Sequence, residues 1–448
     1  MMKTPIYDFL VEYYNKDITR FHMPGHKGKD FLGIEKYDLT EIKGADDLYH
    51  SNGVILESEN NATKLFDTEH TFYATNGSTQ CIKTMLYLAY INRVHNSNII
   101  ISTRNAHKSF INGCAFLDLD VEWVYPKKIN TICSCIITAK ILEDKIKSMN
   151  TLPFAVYLTS PDYLGGIQDI KSLSNICKKY NIPLLVDNAH GSYLKFLQNS
   201  LHPIDLGADM CCDSAHKTLS VLTGGAYLHI AKNGKYISLS LDNVKKTLSM
   251  FGTSSPSYLI LASLDLCNKY MYENYKDELY NVISKVNIIK NKFQSRGVVF
   301  ENCEPLKIVI NSRKIGYTGY EIGEILRKNN IECEFIDDGY VVIMYTENNS
   351  EKDFARLEKA LNSLQIKKEI KTSQKIIVNK KSISIRKAVF SARETIDVEK
   401  SEHKICVNVD LLCPPAIPII VSGEIIDKNT IKLLKYYDIK TIDVVKEK

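Results

Sequence analysis

A lysine that directly follows an apolar run is the first residue in this sequence whose surroundings suggest chemistry. Lys217 stands in the segment DSAHKTL, just after the apolar residues 210–212. A lysine at the end of a buried strand is desolvated, which lowers its pKa and makes its amine a nucleophile toward carbonyl groups. A solvent-exposed lysine at a strand end would fit the same letters, so this motif alone leaves both interpretations open.

Asp187 supplies a second group with an unusual position. It follows the apolar residues 183–186 in PLLVDNAHG, and a carboxylate there needs a cation or hydrogen-bond donors. A protonated pyridine nitrogen would satisfy it, and pyridoxal phosphate needs that proton to act as an electron sink. A helix cap is the alternative role. Lys217 follows about thirty residues later, at the end of a neighbouring predicted strand. Together the two residues favour a cofactor that Lys217 holds as a Schiff base.

Two weaker motifs fit the same cofactor. Gly77, Ser78 and Thr79 lie between a predicted strand and a predicted helix, where backbone N–H groups and hydroxyls can bind a phosphate. His107, on a loop after another strand, can stack on a heteroaromatic ring. Many helices begin with such a turn, and an isolated histidine is more often a satisfied surface residue, so neither motif decides the function by itself.

The sequence predicts no metal site. His22 and His26 are four residues apart, but Pro24 and Gly25 lie between them and prevent a shared helix face. The neighbouring cysteines at 133/135 and 211/212 are too close together for paired metal-binding knuckles. We therefore interpret all twelve cysteines as free thiols, most of them buried as small hydrophobic residues.

The elements that must position these groups alternate between strand and helix from residue 71 onward. Predicted strands TFYAT, NIIIS, VEWVY, FAVYLTS, PLLVD and DMCCD are separated by helical patterns, which indicates an α/β fold with a mostly parallel sheet covered on both faces. In such sheets ligands bind at the carboxyl ends of the strands, where the polar motifs lie. We divide the chain into an N-terminal segment (1–65), a cofactor-binding large domain (66–290) and a smaller α+β domain (291–448), with a further helix predicted over SIRKAVFSARET.

Composition excludes several classes of protein. The chain of 448 residues has 57 basic and 52 acidic residues, an imbalance too small and too scattered for a nucleic-acid-binding protein. No apolar run is long enough to span a membrane, and Asp8 and Glu12 interrupt the start where a signal peptide would be apolar. We expect a cytoplasmic protein that binds a small molecule.

Eight motifs, in this order, resemble the Orn/Lys/Arg decarboxylase family of fold-type-I pyridoxal-phosphate enzymes. They are FHMPGHKG (21–28), TNGST (75–79), NAHKS (105–109), TSPDYLG (159–165), DNAHG (187–191), SAHKTL (214–219), TSSPSYLILASLD (253–265) and SARET (391–395), and PPAIPIIVSGE resembles the family's C-terminal signature. The start of the sequence resembles the family's short form, without an N-terminal wing domain or the large ring assemblies that need it.

The resemblance implies a role for each matching position. Lys217 would hold the cofactor, and Asp187 would pair with its ring nitrogen. The ring would lie between His107 and Ala189, with His190 near the phenolic oxygen. The phosphate would bind Ser78, Thr79, Ser214 and His216. Family members are dimers with shared sites, so Thr253, Ser254 and Ser255 would reach the partner subunit's phosphate.

The implied activity is decarboxylation of a basic amino acid to carbon dioxide and an amine or polyamine precursor, with arginine favoured, then lysine, then ornithine. Asp46, Asp47 and Glu424 are candidates for binding the distal cation, although an Asp-Asp pair beside glycine also caps turns. Asn188, Gly224, Gly225 and Ala416 depart from the family pattern. The alternatives are a fold-type-I aminotransferase and a non-catalytic homologue.

Overall fold

The computed structural model describes residues 2–129, 131–371, 378–407 and 416–446. Its centre is a seven-stranded sheet with the order β1-β7-β6-β5-β4-β2-β3. The strands of this sheet are β1 (His70–Ala74), β2 (Ile99–Thr103), β3 (Asp120–Val124), β4 (Ala155–Thr159), β5 (Leu184–Asp187), β6 (Met210–Asp213) and β7 (Ala226–Ile230).

The sheet confirms the predicted α/β class and adds one strand. Strands β2 to β6 pair in parallel, whereas β7 is antiparallel to both of its neighbours, β1 and β6. Strand β7, the segment AYLHI, is not among the predicted strands. Parallel pairing needs a long crossover connection. Residues 214–225 instead form a short helix and a loop at the carboxyl edge of β6, so the chain returns antiparallel.

Helices cover both faces of the sheet because its central strands are buried on both sides. Side chains of β2, β4 and β5 pack on α5 and α6 on one face, and the alternate residues pack on α3 and α4 on the other. The helices of this layer arrangement are α1 (Pro5–Asn15), α2 (Val54–Phe66), α3 (Gly77–Ile91), α4 (Lys108–Leu117), α5 (Ala139–Lys147), α6 (Ile170–Lys179), α7 (Ala215–Thr218), α8 (Leu241–Phe251), α9 (Tyr258–Glu273) and α10 (Tyr275–Gln294).

The N-terminal helix is attached to the large sheet's helices by a buried carboxylate. Asp265 of α9 accepts hydrogen bonds from the backbone N–H groups of Ile6 (2.9 Å) and Tyr7 (3.0 Å) at the start of α1. These are donors that a helix start leaves without an intrahelical partner. The Ser58 hydroxyl donates to the other oxygen of Asp265, so α1, α2 and α9 meet at one side chain.

The smaller C-terminal region contains a second sheet with the predicted β-α-β-β order. Strands β8 (Lys307–Asn311), β9 (Phe335–Ile336) and β10 (Tyr340–Met344) pair antiparallel in the order β8-β10-β9, with helices α11 (Gly319–Lys328) and α12 (Glu351–Asn362). A final pair, β11 (Arg393–Asp397) and β12 (Thr441–Val445), accompanies helices α13 (Ile385–Val389) and α14 (Lys428–Tyr436).

One predicted helix is wrong in its second half. The helix expected over SIRKAVFSARET ends at Val389, and residues 393–397 form strand β11. Pairing with β12 decides the conformation there, because strand formation depends on the partner more than on local preference. Pro414 and Pro415 of the predicted C-terminal signature lie outside the described residues.

The structure bears on two expectations from the sequence, namely that no segment spans a membrane and that the cysteines are free thiols. Within the described ranges no helix is long and apolar enough to cross a membrane. The eleven cysteines in those ranges are free thiols, and nine of them are buried.

Candidate active site

A cavity of about 220 Å³ opens at the carboxyl ends of β4 and β5, beside the start of α7. The loops after these strands leave the sheet here, which is where ligands bind in open α/β sheets. Its walls are Ser78, Asn105, His107, Thr159, Pro161, Tyr163, Asp187, Ala189, His190, Lys217, Glu334, Ala416 and Ile417.

Lys217 is the amine of this cavity. It lies in α7, directly after β6, and its Nζ is 3.1 Å from Nε2 of His190. Burial lowers the pKa of Lys217, and the carboxylates of Asp187 and Glu334 offset part of that effect. A larger share of the amine is therefore unprotonated near neutral pH than for a lysine in water, as a nucleophile requires.

Asp187 ends β5 on the floor of the cavity and is 3% exposed. Its Oδ2 accepts a hydrogen bond from the Tyr157 hydroxyl (3.0 Å), and Oδ1 accepts one from the backbone N–H of Ala189 (3.2 Å). Burial raises the pKa of Asp187, and Lys217 opposes the rise. A buried carboxylate in this position stabilises a cation placed against it, so a protonated ring nitrogen would find a fixed partner.

Two histidines, His107 and His190, line the cavity together with Lys217. Burial, and then the charge of Lys217, lower the pKa of His190 well below its usual value, so its imidazole is neutral. His190 Nδ1 is buried and has no hydrogen-bond partner within the described parts of the chain. His107 caps α4, with its Nδ1 accepting from the backbone N–H of Ser109 at 3.1 Å. That bond fixes the ring of His107 at the cavity wall.

Hydroxyl groups gather at the N-terminus of α3. The helix starts at Gly77, whose φ of +69° favours glycine, and the hydroxyl of Ser214 donates to that of Ser78 at 2.8 Å. Thr79 Oγ1 and Ser109 Oγ are 2.7 Å apart. Backbone N–H groups in the first turn of a helix lack intrahelical acceptors, so this end of α3 suits a phosphate.

His216 and residues 253–255, which are also predicted to bind the phosphate, lie near this turn. His216 is half-buried and its Nδ1 is 2.9 Å from the carbonyl oxygen of Gly225, while burial lowers its pKa. Thr253 donates its backbone N–H to Asn76, the residue before Gly77. The side chains of residues 253–255 are exposed, so they lie beside the α3 turn at the surface of this subunit.

These residues fit pyridoxal phosphate. The cavity provides a buried amine, a buried carboxylate, an imidazole nitrogen without a partner, and a hydroxyl-rich helix start. Each matches one polar feature of the cofactor: its aldehyde, its ring nitrogen, its phenolic oxygen and its phosphate. The apolar wall formed by Ala189, Ala416 and Ile417 suits the ring.

The three acids predicted to bind the substrate do not line this cavity. Asp46 accepts hydrogen bonds from the backbone N–H groups of residues 47, 52, 53 and 55. Asp47 accepts from Tyr49 and His50, and Glu424 accepts from the Val421 N–H and lies 3.9 Å from Arg104. Within this chain the three carboxylates hold their own loops, which is the turn-capping alternative for the Asp46–Asp47 pair.

Glu334 is the acid that sequence reasoning missed. It precedes β9, lines the cavity, and accepts a hydrogen bond of 2.7 Å from the Tyr163 hydroxyl. Its segment, IECEFID, has the pattern of a strand in the small domain, and nothing in its spacing relates it to Lys217. Only the packing of the second sheet against the loop after β4 brings it to the cavity.

Comparisons with known proteins agree with this geometry. Residues 4–313 match the sequence model of the major domain of Orn/Lys/Arg decarboxylases. The chain is similar to an arginine decarboxylase of Bacillus subtilis (28% identical, over 96% of this chain and 93% of that one). It is also similar to the lysine decarboxylase LdcA of Pseudomonas aeruginosa (20% identical, over 60% and 40%). The crystal structure of the Francisella novicida lysine decarboxylase LdcF superposes with a TM-score of 0.81 at 16% identity, over 99% of this chain and 81% of that one, which shows the shared fold.

We predict that pyridoxal phosphate, trapped on the purified protein with borohydride, labels Lys217. Because burial lowers the pKa of Lys217, labelling should persist to lower pH than labelling of exposed lysines. Peptide mapping by mass spectrometry measures the position. Lys307 is an internal control, since it is more deeply buried than Lys217 (1% exposed) but ion-paired with Glu304 at 2.6 Å. A label on Lys307, or an unchanged label in Lys217→Ala, contradicts the assignment.

Proposed function

Because the chain belongs to the Orn/Lys/Arg decarboxylase family, a family of carboxy-lyases, we propose that it removes the α-carboxylate of a basic amino acid as carbon dioxide. The observation that carries this proposal is the buried group of Lys217, His190 and Asp187 around one cavity. An aminotransferase would share Lys217 and Asp187, but the family match favours the decarboxylase. A non-catalytic homologue would have no need to keep an amine and a carboxylate out of water, which costs free energy.

Pyridoxal phosphate, when bound, supplies the ring that accepts the electron pair of the broken bond. The chain's own residues hold and orient it. Lys217 would bind its aldehyde carbon, and Asp187 would keep a proton at the ring nitrogen. Ser78, Thr79 and Ser214 would bind the phosphate. His107 and Ala189, which both line the cavity, would flank the ring, and the neutral imidazole of His190 would donate or accept a hydrogen bond at the phenolic oxygen.

Lys217 is also the better candidate for returning a proton to the substrate carbon. Its Nζ lies in the cavity with its proton affinity lowered by burial. His216, the other candidate, has Nδ1 against the Gly225 carbonyl and is absent from the cavity wall. We therefore propose that Lys217 Nζ holds the proton, and that His216 positions the turn that carries it.

We predict that Asp187→Asn keeps the cofactor but loses turnover by about 10²–10³-fold, as when other preorganised electrostatic groups are removed. The physical reason is that a neutral amide no longer holds the ring nitrogen's proton. Absorbance of the bound cofactor and release of carbon dioxide measure the two effects separately. Near-normal turnover with full cofactor would show that Asp187 only caps the Ala189 turn.

We propose arginine as the preferred substrate, then lysine, then ornithine, with Glu334 binding the distal cation. Glu334 is an acid on the cavity wall, at the end formed by the small domain. A carboxylate can make two parallel hydrogen bonds with a planar guanidinium, a geometry that an ammonium lacks. The arginine decarboxylase relative, which the chain matches over nearly its whole length, supports arginine as the first choice.

We predict that Glu334→Gln lowers kcat/KM for arginine far more than for citrulline, its uncharged analogue. Removing one partner of a charge-assisted hydrogen bond costs about 1.5–3 kcal/mol, or roughly 10–200-fold. Steady-state kinetics with arginine, lysine and ornithine measure both the order of substrates and the effect of the variant.

Matched variants separate the candidates for this role. Glu332→Gln removes an exposed acid two residues away that pairs with Arg327, so it should leave kcat/KM unchanged. Asp46→Asn, Asp47→Asn and Glu424→Gln should affect charged and uncharged substrates equally. A selective loss in one of those three would transfer the role from Glu334 to that acid. A clear preference for lysine would refute the substrate order alone.

We propose further that the chain works as a homodimer with shared sites. The most exposed large apolar side chains of the N-terminal segment are Phe21 (94%), Met23 (67%), Phe31 (79%) and Leu32 (83%). Apolar groups this exposed in one segment mark an interaction surface. A second copy would cover them.

We predict a dimer in sedimentation experiments, and a monomer with greatly reduced activity for the double variant Phe31→Glu, Leu32→Glu. Ile288→Glu changes an exposed hydrophobic residue on α10, outside the N-terminal segment, and serves as the control, which should stay dimeric. A fully active monomer would refute shared sites.

A further inference from the structure

Four side chains with metal-binding atoms meet on the face of the large sheet opposite to Asp187. They are Cys211 and Asp213 of β6, His229 of β7, and His202 from the loop before β6. Cys211 pairs with His229, and alternate residues of a strand share a face. Asp187 pairs with Cys212, so the carboxylate of the candidate active site projects to the other face. The cluster is therefore separate from the Lys217 cavity.

The distances within this four-residue cluster fit a tetrahedral site. Asp213 Oδ2 lies 3.2 Å from Nε2 of each histidine, and Cys211 Sγ lies 3.9 Å from Nε2 of His202. All four ligand atoms are within 4.8 Å of one another. With Zn–N distances of about 2.0–2.1 Å and a Zn–S distance of about 2.3 Å, neighbouring ligand atoms in a tetrahedral zinc site are roughly 3.3–3.8 Å apart. The observed separations of 3.2 and 3.9 Å lie just outside the two ends of that range.

Two of the atoms that face away from the cluster centre are held by hydrogen bonds, whereas Nδ1 of His202 has no such partner within the described ranges. Nδ1 of His229 is 2.9 Å from the Thr71 hydroxyl, which is itself 2.7 Å from the Thr68 hydroxyl. The Asn188 amide donates to Asp213 Oδ1 at 2.6 Å. Metal ligands are usually oriented by this kind of outer hydrogen bond, which fixes the histidine ring and the carboxylate.

The charge of the cluster also favours a cation. All four side chains are 0% exposed, and the ring of Phe66 packs 4.5 Å from that of His229. Within the described ranges, the ion-pair partners of Asp213 are these two imidazoles. Hydrogen bonds from neutral imidazoles would leave a full negative charge in an apolar interior, which is costly. A divalent ion with one thiolate and one carboxylate leaves no net charge.

We propose that His202, Cys211, Asp213 and His229 bind one zinc ion in a closed structural site. Sulfur and imidazole ligands select zinc over magnesium or calcium, which prefer oxygen. Four protein ligands leave no open position for water or substrate, which distinguishes a structural zinc site from a catalytic one. The ion would join β6, β7 and the loop containing His202. This proposal is independent of the proposed decarboxylation.

The test uses the untagged full-length protein, purified without chelator and analysed for metals by mass spectrometry. We expect one zinc per chain. Protein from cells grown with cobalt should show a thiolate-to-cobalt charge-transfer absorption. Cys211→Ser should lower zinc affinity by more than about 100-fold, beyond the cost of losing an outer-shell partner. Cys177→Ser, at an equally buried thiol in α6 outside the cluster, should retain the metal.

Three results would overturn the proposal. The first is wild-type protein that is metal-free as purified and takes up no zinc on refolding with it. The second is stoichiometric zinc in Cys211→Ser, since a hydrogen-bonded His-Asp-His group without metal does not need the thiol. The third is cobalt-loaded wild type without the sulfur-to-metal absorption, a measurement that remains decisive even if the serine variant fails to fold.

Discussion

Desolvation of an amine and a carboxylate at one edge of the sheet is the constraint on which the candidate active site depends. Lys217 and Asp187 each lose free energy of hydration, and each reduces the other's cost through its charge. The arrangement persists because Asp187 ends β5 and Lys217 lies in α7, which directly follows the neighbouring strand β6. The same desolvation gives Lys217 its nucleophilicity and gives Asp187 its affinity for a cation. Desolvation is therefore the common cause of the reactivity of Lys217 and of the cation affinity of Asp187.

Because successive side chains of a strand point to opposite faces, one sheet carries two separate polar sites, one on each face. Residue 212 and Asp187 point to the α3 side, whereas Cys211, Asp213 and His229 point to the other. Each site then has its own helix layer and its own hydrogen-bond partners. A shift of one residue in the pairing of β6 would exchange the two sets of side chains. The register of β6 with β5 and β7 is therefore fixed by polar groups as well as by apolar packing.

Sequence reasoning predicted the parts of the site that depend on local pattern. Short apolar runs ending in polar residues indicated the strands. Because the ends of parallel strands must meet, the sequence alone placed Lys217, Asp187, His107 and Ser78 in one crevice. Glu334 could not be placed in this way, because it reaches the cavity through the packing of a second sheet. The four-residue cluster was missed for a related reason: its members come from three segments, and their spacing matches no metal-binding motif.

The errors of prediction also have physical reasons. Strand β11 contains residues that favour a helix, and only its pairing with β12 makes it extended. The role predicted for Asp46 stays a prediction: its positive φ and its hydrogen bonds from four backbone N–H groups fit the turn-capping alternative. A carboxylate saturated by backbone donors gains little from a further cation.

Asn188 connects the two faces of the sheet. Its backbone N–H donates to the carbonyl of Cys212 at 2.9 Å, directly after Asp187, and its side chain donates to Asp213. It is also a position where the chain departs from the family pattern, in which a glutamate is frequent. A glutamate there would set a second buried negative charge beside Asp213, at a cost that an amide avoids. The neutral amide of Asn188 instead donates a hydrogen bond to Asp213 and adds no charge beside it, so one residue satisfies the carboxylate on one face of the sheet directly after the carboxylate on the other.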